Sequence, residues 1–185
     1  MKIPFSKRKK ALILVDVQPG FLNQRNKYII QNIKDLINNI SYDCYIESIF
    51  HAEKGSLWQK QTGWILPKDD TFHTVPELLD AVKDKDVLHV EKETKSVFKG
   101  NPDIQTELRK RHIEEVHIVG LDVNDCVLAS AYEAFDLGFY TYVIEECSEA
   151  SDSEDIKNTG FEVLRHVNLT NNSCIEKMDV IQIPS

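Results

Sequence analysis

Strand-length apolar runs separated by helical patterns recur along this chain. That alternation is what most restricts its fold, because it is the signature of parallel βαβ units with both faces of the sheet covered. The runs fall at residues 11–17, 44–50, 87–90, 115–119 and 140–144, and a weaker sixth is expected at 173–176. Between the first two, Ile29, Ile30, Ile33, Leu36, Ile37 and Ile40 recur at three- and four-residue steps, which lays one apolar helix stripe against the sheet. Thr74-Val75-Pro76-Glu77 reads as a capping box with proline in the first turn. Asn101-Pro102-Asp103 reads the same way, opening a helix through Ile104 and Leu108 to a basic end at Arg109, Lys110 and Arg111. Further helices are predicted over 124–137, stopped by Gly138, and over 154–167. The expectation is an α/β fold: a three-layer αβα sandwich around a six-stranded, mainly parallel, Rossmann-like sheet.

At 185 residues and 42% hydrophobic content the chain suits a single domain, residues 1–185, with no Gly/Ser linker or internal repeat dividing it. The formal charge of −8 argues against nucleic acid and anionic membranes as partners. The one basic run, Lys7-Arg8-Lys9-Lys10, reads as solvation of a chain end rather than a polyanion site. No stretch approaches the ~20 apolar residues of a membrane span. The first apolar run ends at Asp16 instead of at small residues, unlike a leader, so a cytoplasmic protein is expected. Cys44, Cys126, Cys147 and Cys174 form no CxxC pair, which supports neither a zinc knuckle nor a dithiol redox motif. Residues 51–73 make a long irregular stretch holding both tryptophans, Trp58 and Trp64, and a loop of that length is usually functional.

In open parallel sheets ligands bind beyond the carboxyl ends of the strands, near the point where strand order reverses. Asp16 ends the first strand, Lys92 follows the third, and Cys126 follows the fourth at the start of a helix. Taken singly, Asp16 reads more readily as a turn cap, Lys92 as a solvated cation and Cys126 as a buried thiol than as catalytic groups. Their shared placement at one sheet edge favours a site. A cysteine in a first helical turn gains thiolate stability from the dipole and from a nearby lysine, and a carboxylate beside it suits proton transfer. The loop from Gly120 to Cys126 offers backbone NH groups to a developing oxyanion.

These segments resemble the isochorismatase-like cysteine hydrolases, a superfamily that includes nicotinamidases and carbamoylsarcosine amidohydrolases. The opening strand and acid, Ala11-Leu12-Ile13-Leu14-Val15-Asp16-Val17-Gln18-Pro19-Gly20-Phe21, are similar to the family's first motif. The lysine segment runs from Val90 to Gly100, where Ser96, Phe98 and Gly100 set the register so that Lys92, not Lys95, matches the catalytic lysine. Val119 to Val127, continuing through Ala131, Ala134 and Gly138, resembles the nucleophile loop and its helix.

The resemblance implies Asp16 as general base and acid, Lys92 as the stabilising cation and Cys126 as nucleophile. It also implies a cis peptide between Leu121 and Asp122, an oxyanion hole from the backbone NH groups of Asp122 and Cys126, and the strand order 3-2-1-4-5-6. The chain departs from the pattern at Val123 and Asn124, where threonine and aspartate are common, and it sets Asp122 and Asp125 beside the thiol. Ile49-Phe50-His51 stands where nicotinamidases carry metal ligands, and Gln61 where a histidine ligand would be, so no metal and no cofactor are expected. Phe21, Phe50, His51, Trp58 and Trp64 are candidate substrate contacts.

The expected function is hydrolysis of a small amide or ureido C–N bond in a small-molecule substrate, through a thioester on Cys126. A vinyl-ether hydrolase like isochorismatase itself competes, although that chemistry has no use for the thiol. A catalytically silent binding or assembly member competes too, because the acids around Cys126 would suit it. Balanced against those acids, the helix dipole and Lys92 lead to an expected Cys126 pKa below that of a free thiol, with the loop acids facing solvent. A homo-oligomer is expected, with Trp64, Phe72 and Phe161 as interface candidates.

Overall fold

The computed structural model describes residues 1–174 and 179–183. Its main sheet has five parallel strands: β2 (Lys10–Val15), β3 (Cys44–Phe50), β4 (Val87–Lys92), β5 (Glu115–Gly120) and β6 (Tyr140–Ser148), in the spatial order β4-β3-β2-β5-β6. Successive residues of β2 point to opposite faces. Ala11, Ile13 and Val15 enter one apolar core and Leu12 and Leu14 the other. The second core takes Ile29, Ile33 and Leu36 of α1 (Ile29–Asn39) and Leu78 of α3 (Pro76–Val82). The first takes Ile104 and Leu108 of α4 (Ile104–Lys110), Val127, Ala131 and Ala134 of α5 (Cys126–Asp136), and Phe161 and Leu164 of α6 (Glu154–His166). The three layers follow from this division. Phe161, an interface candidate by sequence, is 2% exposed and belongs to this core instead.

The sixth strand is a correction. Ser173 and Cys174 lie in the helical turn α7 (Asn171–Cys174), and residues 175 and 176 fall outside the described ones. Among the described residues the sixth place in the sheet is touched by a single parallel bridge, Val143 to Thr170, with the Val143 amide donating to Leu169 O. One step further along β6, the amide of Glu145 donates to the side-chain oxygen of buried Asn171, so a side chain takes the bond a strand would have made. A two-stranded antiparallel ribbon pairs β1 (Lys2–Pro4) with β7 (Val180–Gln182).

Two predicted helix starts also differ. At α3 the cap residue is Val75, and the Thr74 hydroxyl donates to buried Glu47 instead. At α4 the cap is Asp103, whose carboxylate accepts from the amides of Gln105 and Thr106, while Pro102 precedes it across a cis bond. The long stretch after β3 contains α2 (Leu57–Thr62), capped by Ser56 and stopped by Gly63 in the left-handed region. Among the described residues no helix is long and apolar enough to cross a membrane.

Candidate active site

Strand order reverses between β2 and β5, since the chain leaves β2 toward β3 on one side and later returns to β5 on the other. Asp16 and Cys126 follow those two strands, so they flank the crevice that such a reversal leaves. The strands approach closely there. A Cβ on Gly120, at φ +120°, would lie 2.1 Å from Val15 O, so only glycine fits. Asp16 itself has φ +51°, a conformation that costs a non-glycine residue roughly 1 kcal/mol and that aspartate tolerates better than most. The cis Leu121–Asp122 peptide follows β5, as the resemblance implied.

Lys92 reaches this crevice from β4 by crossing β3, passing 4.9 Å from the ring centre of Phe50, its parallel partner. Its ammonium donates to Asp16 Oδ2 at 2.6 Å and to Thr94 O at 3.0 Å, and its side chain is fully buried. Ser48 of β3 donates to the other carboxylate oxygen, Oδ1, at 2.8 Å. The Cys126 thiol stands in the same cavity wall as Asp16 and feels the charge of both Asp16 and Lys92. Burial pushes the Asp16 carboxyl above its ordinary range against the pull of Lys92, which leaves it a stronger base than a surface carboxylate. Lys92 stays charged, because its two neighbours outweigh its own burial.

The thiol departs from the sequence expectation. Burial first, and then Asp16, push Cys126 well above a free thiol, and the helix terminus and Lys92 do not reverse this. The loop acids also differ from expectation, since neither simply faces solvent. Asp125 pairs with Lys95, whose ammonium sits 4.0 Å from the Trp58 ring centre. Asp122 is half-buried and accepts from the Ser151 amide at 2.7 Å and hydroxyl at 2.5 Å. Burial raises the Asp122 carboxyl to about 6.

Asp16, Phe21, Phe50, Trp58, Trp64, Leu121, Asp122, Asp125 and Cys126 wall a cavity of about 20 Å³, room for about one water molecule. The four rings touch one another, with Phe50 and Trp64 stacked at 6.2 Å and Trp58 edge-on to Phe50 at 5.1 Å. Outside Trp58 a groove of about 380 Å³ runs along Leu57, Gln61, Thr62, Glu93, Thr94 and Lys95. His51 lies outside the cavity wall, with Nδ1 3.3 Å from Glu93 Oε1 and its ring edge-on to Phe72. A wider cleft of about 430 Å³ opens beside the first residues of β6, at the other end of the sheet, and holds none of this chemistry.

No acceptor among the described residues takes the amide hydrogens of Asp122 or Cys126. The residues do not fit a metal. Phe50 is buried in the ring cluster, His51 faces a single carboxylate, and no three ligating side chains come together among the described residues.

Sequence reading missed Ser48 and Gln18. Gln18 is fully buried and grips Phe50 through both main-chain groups, accepting from its amide at 2.7 Å and donating to its carbonyl at 3.1 Å. A polar residue inside an otherwise buried strand was the available signal for Ser48.

The architecture defines a class: a parallel α/β protein with a buried carboxylate, lysine and thiol at its topological switch point. The profile described as "Isochorismatase domain" matches residues 10–173, and the chain belongs to the isochorismatase family, as a hydrolase of that family. It is 25% identical over 166 residues to the isochorismatase family protein PncA of Bacillus subtilis, covering 79% of this chain and 89% of that one. It is also 25% identical over 158 residues to that organism's YwoC, with 80% and 82% covered. Among solved structures, PnC1 of L. infantum in complex with nicotinate superposes with a TM-score of 0.75 at 15% identity, covering 91% of this chain and 94% of that one. The nicotinamidase SaPncA of Staphylococcus aureus gives 0.68 at 21% identity, with 85% and 92% covered. At these identities the likeness is one of fold.

Proposed function

We propose that this chain hydrolyses a small amide or ureido C–N bond through a thioester on Cys126. The observation that carries the reading is a buried, lysine-paired Asp16 sharing a cavity wall with the thiol at the first residue of α5, beside two amides with no acceptor among the described residues. Because the thiol rests protonated, its proton passes to Asp16 as sulfur attacks the carbonyl carbon. A preformed thiolate is not needed.

Lys92 holds its charge through that transfer, so the buried group of three never carries an uncompensated anion. The amides of Asp122 and Cys126 receive the oxyanion, strengthened by the positive end of the helix. Collapse breaks the C–N bond, and Asp16 returns the proton to the departing nitrogen. A water then gives its proton to Asp16 and attacks the thioester carbonyl. Acid leaves, and the proton on Asp16 restores the thiol.

Several structural neighbours are nicotinamidases, which supports an amide as the bond cleaved. Ammonia release from a panel of primary amides, with intact-protein mass after rapid acid quench, tests the reading. An acyl adduct that maps to Cys126 is expected. Turnover that persists in Cys126→Ala would reject it.

A further inference from the structure

Charge balance around the cavity is uneven. Three carboxylates stand in its wall, and two are matched by lysines, Asp16 by Lys92 and Asp125 by Lys95. The third, Asp122, forms no ion pair among the described residues and is held only by the neutral Ser151 amide and hydroxyl. Ser151 reaches both of its oxygens, and each keeps a second lone pair.

The rest of the wall is aromatic. Lys92 lies against Phe50 and Lys95 against Trp58, whereas Phe21 and Trp64 have no cation on either face among the described residues. One half-buried, uncompensated carboxylate in a wall shared with electron-rich rings is the environment that stabilises an organic cation, by charge attraction and by the ring quadrupoles. It penalises an anion, which would add a second unpaired negative charge at short range.

We propose that the substrate is a cationic amide, with a quaternary or protonated nitrogen close to the scissile carbonyl, and that Asp122 is the residue selecting it. This rests on the amidase reading, in which the Asp122 amide meets the oxyanion while its side chain meets the cation. Anything larger than water fits only with a ring of the wall displaced, and Trp58 is the ring that separates the cavity from the groove outside it.

A pair of isosteres isolates the charge: betaine amide, with a trimethylammonium group, and 3,3-dimethylbutanamide, with a tert-butyl group of the same shape. The chain's two tryptophans both stand at the site, so quenching of their fluorescence reads binding directly. In Cys126→Ala protein, betaine amide is expected to bind at least about ten-fold more tightly than its isostere. Adding Asp122→Asn should bring the two within about two-fold, whereas Asp122→Glu should keep the preference.

Equal or weaker binding of the cation, or a preference that survives Asp122→Asn, would overturn the proposal. Ammonia release by the unsubstituted protein separates it from the amidase reading. Turnover of the neutral isostere without any cation preference sinks only the specificity. A Cys126→Ala preference for the cation, with neither amide turned over, sinks only the amidase.

Discussion

The two ends of the sheet bury ionisable groups in comparable number and treat them in opposite ways. At the amino end, Glu115 and His117 of β5 are fully buried with Tyr42 beside them. Tyr42 keeps its proton, because burial raises it well above a free phenol, and so donates to His117 Nδ1 at 2.9 Å. His117 Nε2 in turn donates to Glu115 at 3.0 Å, and Ser6 donates to the other Glu115 oxygen at 2.7 Å. Arg8 and Lys10 approach the same carboxylate, so these two of the basic run turn onto the sheet while Lys7 and Lys9 stay exposed, as expected of a solvated chain end. Every polar atom there finds a protein partner.

At the carboxyl end Asp16 and Lys92 are equally buried, yet beside the cavity two amides have no acceptor and the half-buried Asp122 carboxylate has no ion pair among the described residues. A satisfied network stabilises; one left open toward a cavity is available for chemistry.

The largest expected contrast is in turnover. Cys126→Ala, Asp16→Asn and Lys92→Ala should each lower kcat/KM by at least about 10²-fold, as members of one unit do. His117→Gln should leave turnover per folded molecule within a few-fold. A comparable loss from His117→Gln, with an unchanged circular dichroism spectrum, would erase the distinction between the two ends.

Stability should sort the opposite way. Glu115→Ala strands His117, Ser6 and two cations in or beside the core, at a cost of roughly 3 kcal/mol. Cys126→Ser, at the open end, should cost under about 1 kcal/mol, since sites shaped for reaction are seldom optimised for stability. Urea midpoints measured at one pH decide this, and equal losses would count against it.

The amino end should also set the acid sensitivity. Burial, opposed by Glu115, holds His117 below its ordinary pKa, so the native state takes up its proton later than the unfolded chain does. The stability it contributes is present above about pH 6.5 and is lost as pH falls through the lower native value. Between pH 7 and 5, His117→Gln should therefore show a flatter decline in unfolding free energy than the parent, and an unchanged slope would remove His117 from the account.

What could be read from the sequence follows the range of the interactions. Asp16 and Cys126 were legible because each ends or follows an apolar strand at the switch point. Lys92 was legible as a residue at the end of the third strand, but its reach to Asp16 came only from the resemblance, since its side chain must cross β3 and no spacing rule contains that crossing. The sixth strand was misread at Ser173 because Leu169 O and the Asn171 side chain already take the edge bonds of β6. The β1–β7 ribbon was missed because its partners lie at opposite ends of the chain. The loop acids were visible, but their partners Lys95 and Ser151 are about 30 residues away, and the sign of the Cys126 shift was missed because the burial of the thiol outweighs the helix dipole and Lys92.

That sign gives the smallest and most discriminating effect. Asp16 raises the thiol of Cys126 and Lys92 lowers it, with burial adding to the raising side. In Asp16→Asn the carboxylate is gone and the Lys92 ammonium loses its counter-ion beside the sulfur, so the thiolate becomes easier to form. Iodoacetamide labelling of Cys126 at pH 8 should then run faster in Asp16→Asn than in the parent, by several-fold, although turnover is abolished. Lys92→Ala should slow both. In the parent, half-exposed Cys174 should label before Cys126. Peptide mapping after brief exposure measures each site separately. If Asp16→Asn slowed labelling instead, Asp16 would be drawing the proton from a resting thiolate pair, and the step in which it accepts a proton from a neutral thiol during attack would have to be withdrawn.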